Sequence, residues 1–246
     1  VTLFGTEMMT ARQVLVFARS GRSDRAGAVA ACHALTLPPT QPGYYYWQDA
    51  ETGEVTRRTE WFVARAPEVT VAGRRINYLL SFSLPRFCDQ TLDVAQKRAL
   101  HPRGAAWMAK LDTVVHELYH IDPAHNGIRR HAPDDGRVRH QCHGPHFRET
   151  VAALAQRYLD TTPAAATIEF LRHDFRALDR RHGGICATVF RGFPAFPQRY
   201  LEALPDQPSC EGIGCGAPVE PLRPNRRQTS YTDADLRTRR FAHASS

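Results

Sequence analysis

His116-Glu117-Leu118-Tyr119-His120, together with the preceding stretch 107–115 (Trp-Met-Ala-Lys-Leu-Asp-Thr-Val-Val), decides how the rest of the chain is read. Trp107, Leu111, Val114, Leu118 and Ile121 recur at spacings of three and four, the period of one apolar helix face. That helix ends near Asp122-Pro123, because proline cannot continue a helix and restricts the residue before it. His116 and His120, four apart, project from the same side one turn from each other. At ~100° per residue they lie roughly opposite the Leu111/Val114/Leu118 stripe. One face therefore anchors the helix and the other offers two imidazoles to a cleft. Tetrahedral zinc takes imidazole nitrogens at about 2.0–2.1 Å, and two adjacent turns supply two of them. Glu117 stands beside the first, placed to take a proton from a water whose pKa zinc lowers towards ~7. The pattern H-E-x-x-H thus predicts Zn²⁺ as cofactor and Glu117 as catalytic base of a hydrolase. The bland reading is a solvated helix face that happens to carry two histidines. The amphipathic setting and the His-rich segment that follows weigh against it.

A catalytic zinc site needs a third protein ligand. Asp122, His125, His131, His140, His143, His146 and Glu149 are the downstream candidates. Asn126 stands six residues after His120, where the metzincin pattern requires histidine, which excludes that class. A carboxylate taken from a later helix would make Glu149 the ligand.

Residues 143–148, His-Gly-Pro-His-Phe-Arg, resemble the H-G-P-x-F-R segment of SprT-like zinc metallopeptidases. Together with the β-prone segment 74–84 and Thr113-Val114-Val115, the resemblance covers roughly residues 74–160. It implies that His143, opening the helix after the H-E-x-x-H helix, is the third metal ligand beside His116 and His120. Glu149, His146 and His140 remain as alternatives. Gly144 and Pro145 suit a helix start, and His143 lies about 40° from Phe147 around that helix. The resemblance also implies a zincin-like fold and hydrolysis of peptide bonds in protein or peptide substrates. The chain departs from the family pattern in a longer loop between His120 and His143 and in Tyr119, where the residue is typically small. Of the family's four-cysteine ribbon only Cys210 and Cys215 remain, too few for a structural zinc.

Outward from this centre, 246 residues with 42% hydrophobic content suffice for one sizeable core. Residues 1–43 read as a helical or extended N-terminal segment, Ala/Arg-rich over 10–35 and closed by Pro38-Pro39 and Pro42-Gly43. Residues 44–48 and 54–65 flank a polar, Gly-containing turn and predict a hairpin. Residues 76–84 predict a strand, taken as the edge that pairs with an extended peptide beside the zinc. Phe147, Val151, Leu154 and Tyr158 mark a second helix. Ile168, Leu171, Phe175 and Leu178 mark a third, ending at Gly183-Gly184 before a strand over 185–193. The catalytic domain is thus placed at 44–204. The Pro/Gly/Arg-rich remainder, 205–246, predicts a flexible tail. The expected architecture is α+β and zincin-like: a small, mostly antiparallel sheet packed on the H-E-x-x-H helix, with further helices.

The formal charge is +7, and the only lysines are Lys97 and Lys110. Arginine's fork suits phosphate, so nucleic-acid contact through Arg223, Arg226, Arg227, Arg237, Arg239 and Arg240 is an alternative to a merely solvated terminus. Two other classes follow: a DNA-associated protein with a structural zinc, and a catalytically inactive zincin-like interaction domain. No apolar run approaches the ~20 residues of a membrane span. The patch 14–18 is too short for a signal peptide. Six scattered cysteines read as reduced thiols of a cytoplasmic protein. Cys142 reads as a spectator thiol and Tyr44 to Trp47 as core aromatics. His33, His101, His173 and His182 have no partner legible in the sequence, and nothing in it bears on oligomeric state.

Overall fold

The fold is that of a computed structural model describing residues 13–20, 27–36, 45–48, 55–59, 62–92, 95–122, 127–129, 143–144, 146–163, 165–191, 200–203 and 228–242. The first strands are β1 (Val14–Ser20), β2 (Ala30–Ala34), β3 (Tyr45–Gln48), β4 (Val55–Thr59), β5 (Phe62–Arg65), β6 (Glu68–Val71), β7 (Arg74–Arg75) and β8 (Tyr78–Leu84). Helices follow: α1 (Ala95–Leu100), α2 (Met108–Tyr119), α3 (Phe147–Asp160), α4 (Ala165–Ile168) and α5 (Phe175–His182). The chain closes with β9 (Ile185–Phe190), β10 (Tyr200–Ala203), β11 (Ser230–Tyr231) and β12 (Leu236–Phe241). The molecule is α+β, with small sheets and several helices, as the sequence pattern implies. No helix among the described residues is long and apolar enough to cross a membrane.

The sheet that carries the site has the order β1-β8-β2. β1 runs parallel to β8 from Val14↔Tyr78 to Ser20↔Leu84, and β2 runs antiparallel from Ala30↔Phe82 to Ala34↔Tyr78. This corrects one expectation. The strand within 76–84 is not an edge: β8 is central, and all its residues except Phe82 are buried. Both faces are covered, one by Phe17, Leu79, Val69, Ile76 and Phe190, the other by Ala18 and Leu84 packed with the helices. Its serines stay satisfied inside, Ser83 Oγ donating to Ala28 O at 3.0 Å and Ser81 Oγ to Ala31 O at 3.4 Å. Where it is described, the Ala/Arg-rich stretch near the N-terminus takes the extended of its two expected forms. It supplies β1 and β2, the two neighbours of β8, because pairing beside a buried strand overrides alanine's helix propensity. A boundary at residue 43 therefore separates strands that share one sheet.

The hairpin read from residues 44–65 forms as β3 against β4, while β5 pairs with β10. The C-terminal stretch differs from the expected tail. β12 pairs antiparallel with β9 from Leu236↔Phe190 to Phe241↔Ile185, β11 joins β6, and Phe241 is buried in the main core. Thr232 and Asp235 form a reciprocal capping box before β12. Arg237, Arg239 and Arg240 thus lie on a paired strand with Leu236 and Phe241 as its inward residues, a pattern too polar to read as a strand. Residues 204–227, with Arg223, Arg226, Arg227, Cys210 and Cys215, lie outside the described residues.

α2 and α3 pack together across the main core, where Met108, Leu111, Val115, Phe147, Val151 and Leu154 are all buried. The buried row of α2 is Met108, Leu111 and Val115, whereas Val114 and Leu118 are only half-buried. The expected third helix breaks into α4, a 3-10 turn (Glu169–Arg172) and α5. Asp174 starts α5 anew, its carboxylate accepting from Ala177 N at 2.7 Å, and Gly183 ends it at φ +68°, a left-handed conformation glycine adopts without strain. The apolar stripe survives the break: Ile168, Leu171, Phe175 and Leu178 are all buried.

Candidate metal centre

His116 and His120 come from α2, and His143 from the residues leading into α3. His143 Nε2 lies 3.2 Å from His116 Nε2 and 3.2 Å from His120 Nε2. Nitrogens held tetrahedrally at about 2.0–2.1 Å from one ion stand about 3.3 Å apart, so this spacing fits a single metal ion. The three histidines could hold one, and they are the one such group among the described residues. Phe147, 1% exposed, lies against all three rings, with centroids 4.9 Å from His116, 5.0 Å from His120 and 4.5 Å from His143. The residue that anchors α3 in the core is thus also the wall on which the imidazoles rest.

Glu117 is 6% exposed and faces β2. Burial pushes its carboxyl up to about 7, opposed by a hydrogen bond from the Cys32 backbone N–H and by the charges of Arg19 and Lys97. His116 is pushed down to about 4, by burial first and then by His143, which keeps it the neutral imidazole that binds metals. The Cys32 thiol is pushed up by burial and by Glu117, so it stays protonated. A cleft of about 450 Å³ opens here, between β2 and the triad, with Arg129 in its wall. At the two ends of the β2–β8 pairing, Ser83 N donates to Val29 O and Leu35 N donates to Asn77 O, just before β8. By the alternation of an antiparallel pair, the backbone groups of Ala30, Cys32 and Ala34 then face the other way, toward the cleft side.

Behind His116, one turn earlier on α2, Asp112 is buried in a charged network. Lys97 Nζ donates to Asp112 Oδ1 at 3.0 Å, to Ala109 O at 2.9 Å and to Thr113 Oγ1 at 2.7 Å. His101 Nε2 lies 3.2 Å from Asp112 Oδ2, and the Thr113 hydroxyl donates to Gln90 Oε1 at 2.8 Å. Lys110, also buried, donates to His173 O at 2.7 Å. Both lysines of the chain are therefore spent on α2. A lysine fits where three donors must diverge from one point charge, which arginine's planar fork cannot do.

The other end of α2 is held by residues 127–129. Tyr78 Oη donates to Gly127 O at 2.9 Å, Gly127 N donates to Thr36 Oγ1 at 3.1 Å, and Ile128 bridges Ile121. Arg129 N donates to His120 O at 2.8 Å, and its guanidinium donates to Tyr119 O at 2.9 Å and Ile121 O at 3.3 Å. These bonds satisfy carbonyls that a helix end leaves open.

Of the alternative ligands, Glu149 faces a different cavity of about 790 Å³, beside His101 and Trp107. His146 is exposed at the start of α3 and, like Asp122, stands outside the triad. His125, His131, His140 and Cys142 lie outside the described residues. His101 is the partner of Asp112, and His173 Nε2 lies 3.1 Å from Glu169 Oε1. Sequence reasoning did not find Asp112, Cys32 or Arg129. Asp112 carried a faint signal, a carboxylate four residues before His116 on the same helix side, whereas the other two reach the site only through sheet pairing and a bridge. Comparison with family models, curated proteins and solved structures gives no match.

Proposed function

We propose that the chain is a zinc-dependent metallopeptidase with a zincin-like fold, hydrolysing peptide bonds in proteins. One observation carries the reading: His143 Nε2 lies 3.2 Å from the Nε2 atoms of both His116 and His120, beside the buried carboxyl of Glu117. The donor set is three imidazole nitrogens, which suits zinc and not the oxygen-seeking magnesium or calcium. Three ligands also leave the fourth tetrahedral position for water or substrate, as a catalytic site requires. Zinc bound there supplies a polarised carbonyl and a water of lowered pKa. Glu117, with a carboxyl at about 7, takes the proton near neutral pH and returns it to the leaving amine. The sheet edge for an extended substrate is β2, whose even-numbered backbone groups face the cleft side, and this replaces the strand expected within 76–84.

Metal analysis of the purified protein, beside Glu117→Gln and His116→Ala, tests the reading. The wild type should carry one zinc per chain and cleave an unfolded protein substrate. Glu117→Gln should keep the zinc and lose about 10²–10⁴-fold in rate, the usual worth of a general base. His116→Ala should lose both. Full zinc occupancy in His116→Ala, or full activity in Glu117→Gln, would remove the ground for the reading.

A further inference from the structure

Arg129 is used on one side only. Its backbone and two of its guanidinium nitrogens cap α2 through His120 O, Tyr119 O and Ile121 O. The guanidinium carbon sits 4.2 Å from the Tyr119 ring centroid, so the group is stacked as well as bonded. Among the described residues Nη1 has no hydrogen-bond partner and no carboxylate pairs with the guanidinium. Glu117, the acid of the same cleft, feels Arg19 and Lys97 rather than Arg129. Yet the residue lines the cleft that holds His116, His120 and His143. Capping a helix end accounts for two nitrogens. It does not account for a stacked and bonded cation, without a counter-ion among the described residues, in the lining of a cleft of about 450 Å³.

We infer that Arg129 is a specificity-determining residue that receives a substrate carboxylate beside the scissile bond. Guanidinium is always charged and donates to carboxylates at fixed angles, and here the stacking and two bonds have already taken away its rotamer freedom. The carboxylate comes either from an acidic side chain or from the end of the peptide chain. The inference deepens the peptidase reading and rests on it for the word substrate, but the anion site has a readout of its own.

The experiment compares peptides that differ only by Asp against Asn at one position along the sequence, each with a free or an amidated C-terminus. Wild type and Arg129→Gln are measured with the metal-loaded protein. The wild type should favour one acidic or free-ended peptide by about tenfold or more in KM, the scale of one hydrogen-bonded charge in a cleft. In Arg129→Gln that ratio should fall to within about twofold. Because the ratio is read, a general loss from disturbing the end of α2 cancels. An effect confined to internal Asp assigns a side-chain carboxylate, and one confined to the free end assigns a terminal carboxylate. A wild type without preference, or a preference unchanged in Arg129→Gln, overturns the inference. If no peptide is cleaved, the peptidase reading fails separately, and the same fluorescein-labelled peptides are titrated by anisotropy. An acidic preference lost in Arg129→Gln then still supports the anion site, and equal binding of all peptides overturns it.

Discussion

Replacing Phe147 by alanine removes the surface on which all three candidate ligands rest. The side chain is 1% exposed, and its ring centroid lies within 5.0 Å of each of the three imidazoles. Truncating a buried phenylalanine costs about 3–5 kcal/mol, part of it for the cavity left behind. That cavity does not close easily here, because His116 and His120 are fixed to α2, which is pinned at both ends. His143, by contrast, stands outside α2 with its ring centroid 4.5 Å from this one, so it is the ligand whose position changes most. Loss of a group that orients metal ligands typically weakens metal affinity about 10–100-fold. Two measurements separate the effects: urea unfolding of the metal-stripped protein, and zinc affinity by competition with a chromogenic chelator. Phe147→Leu returns most of the apolar volume but not the flat face, so it should recover stability more fully than affinity. If Phe147→Ala is destabilised as expected yet binds zinc within about twofold of wild type, the ring only fills space and its positioning role is refuted.

Asp112→Leu should cost about 3–5 kcal/mol, nearer the lower figure because Lys97 is 25% exposed, whereas Lys97→Met with Asp112→Leu should recover much of that loss. Additive single and double changes in urea midpoints would show that the pair is not coupled. His33 is held down at about 4, by burial first and then by Arg19, against an ordinary value of 6.5. The native state therefore binds fewer protons than the unfolded chain between those values, and stability falls as pH drops from 6.5 towards 4, by up to about 3 kcal/mol. His33→Leu should remove that share of the pH slope in urea titrations at pH 7 and pH 5, and an unchanged slope would count against the assignment.

The candidate site was more legible than the fold around it, for a reason of range. His116, Glu117 and His120 declare themselves by spacing on one helix, and His143 follows from a six-residue segment that opens the next. β8 was visible in the alternation of Leu80, Phe82 and Leu84, but not its central place, because alternation says that a strand is buried and not how many strands flank it. β1 and β2 were hidden by alanine and arginine, which favour helix when read alone. β12 was hidden because only its two end residues face inward. Cys32 and Arg129 stand 85 and 12 positions from Glu117 in the chain, and neither distance has a period to detect.

Why α2 needs a fastening at each end follows from what it carries. A carboxyl group 6% exposed stabilises nothing by itself; its burial is a cost that packing elsewhere must offset. Histidines held close with their nitrogens converging bring no hydrophobic return either. A helix with that load in its last turn would fray, since the last four carbonyls have no partner within the helix. The structure meets this at the C-terminal end with Arg129 and the Ile121↔Ile128 bridge, and at the N-terminal end with Lys97, bonded to Ala109, Asp112 and Thr113. The two fastenings lie on either side of the triad and use groups that are not candidate ligands. The imidazoles are thereby held in place without forming part of what holds the helix, with His143 Nε2 at 3.2 Å from the Nε2 atoms of both His116 and His120.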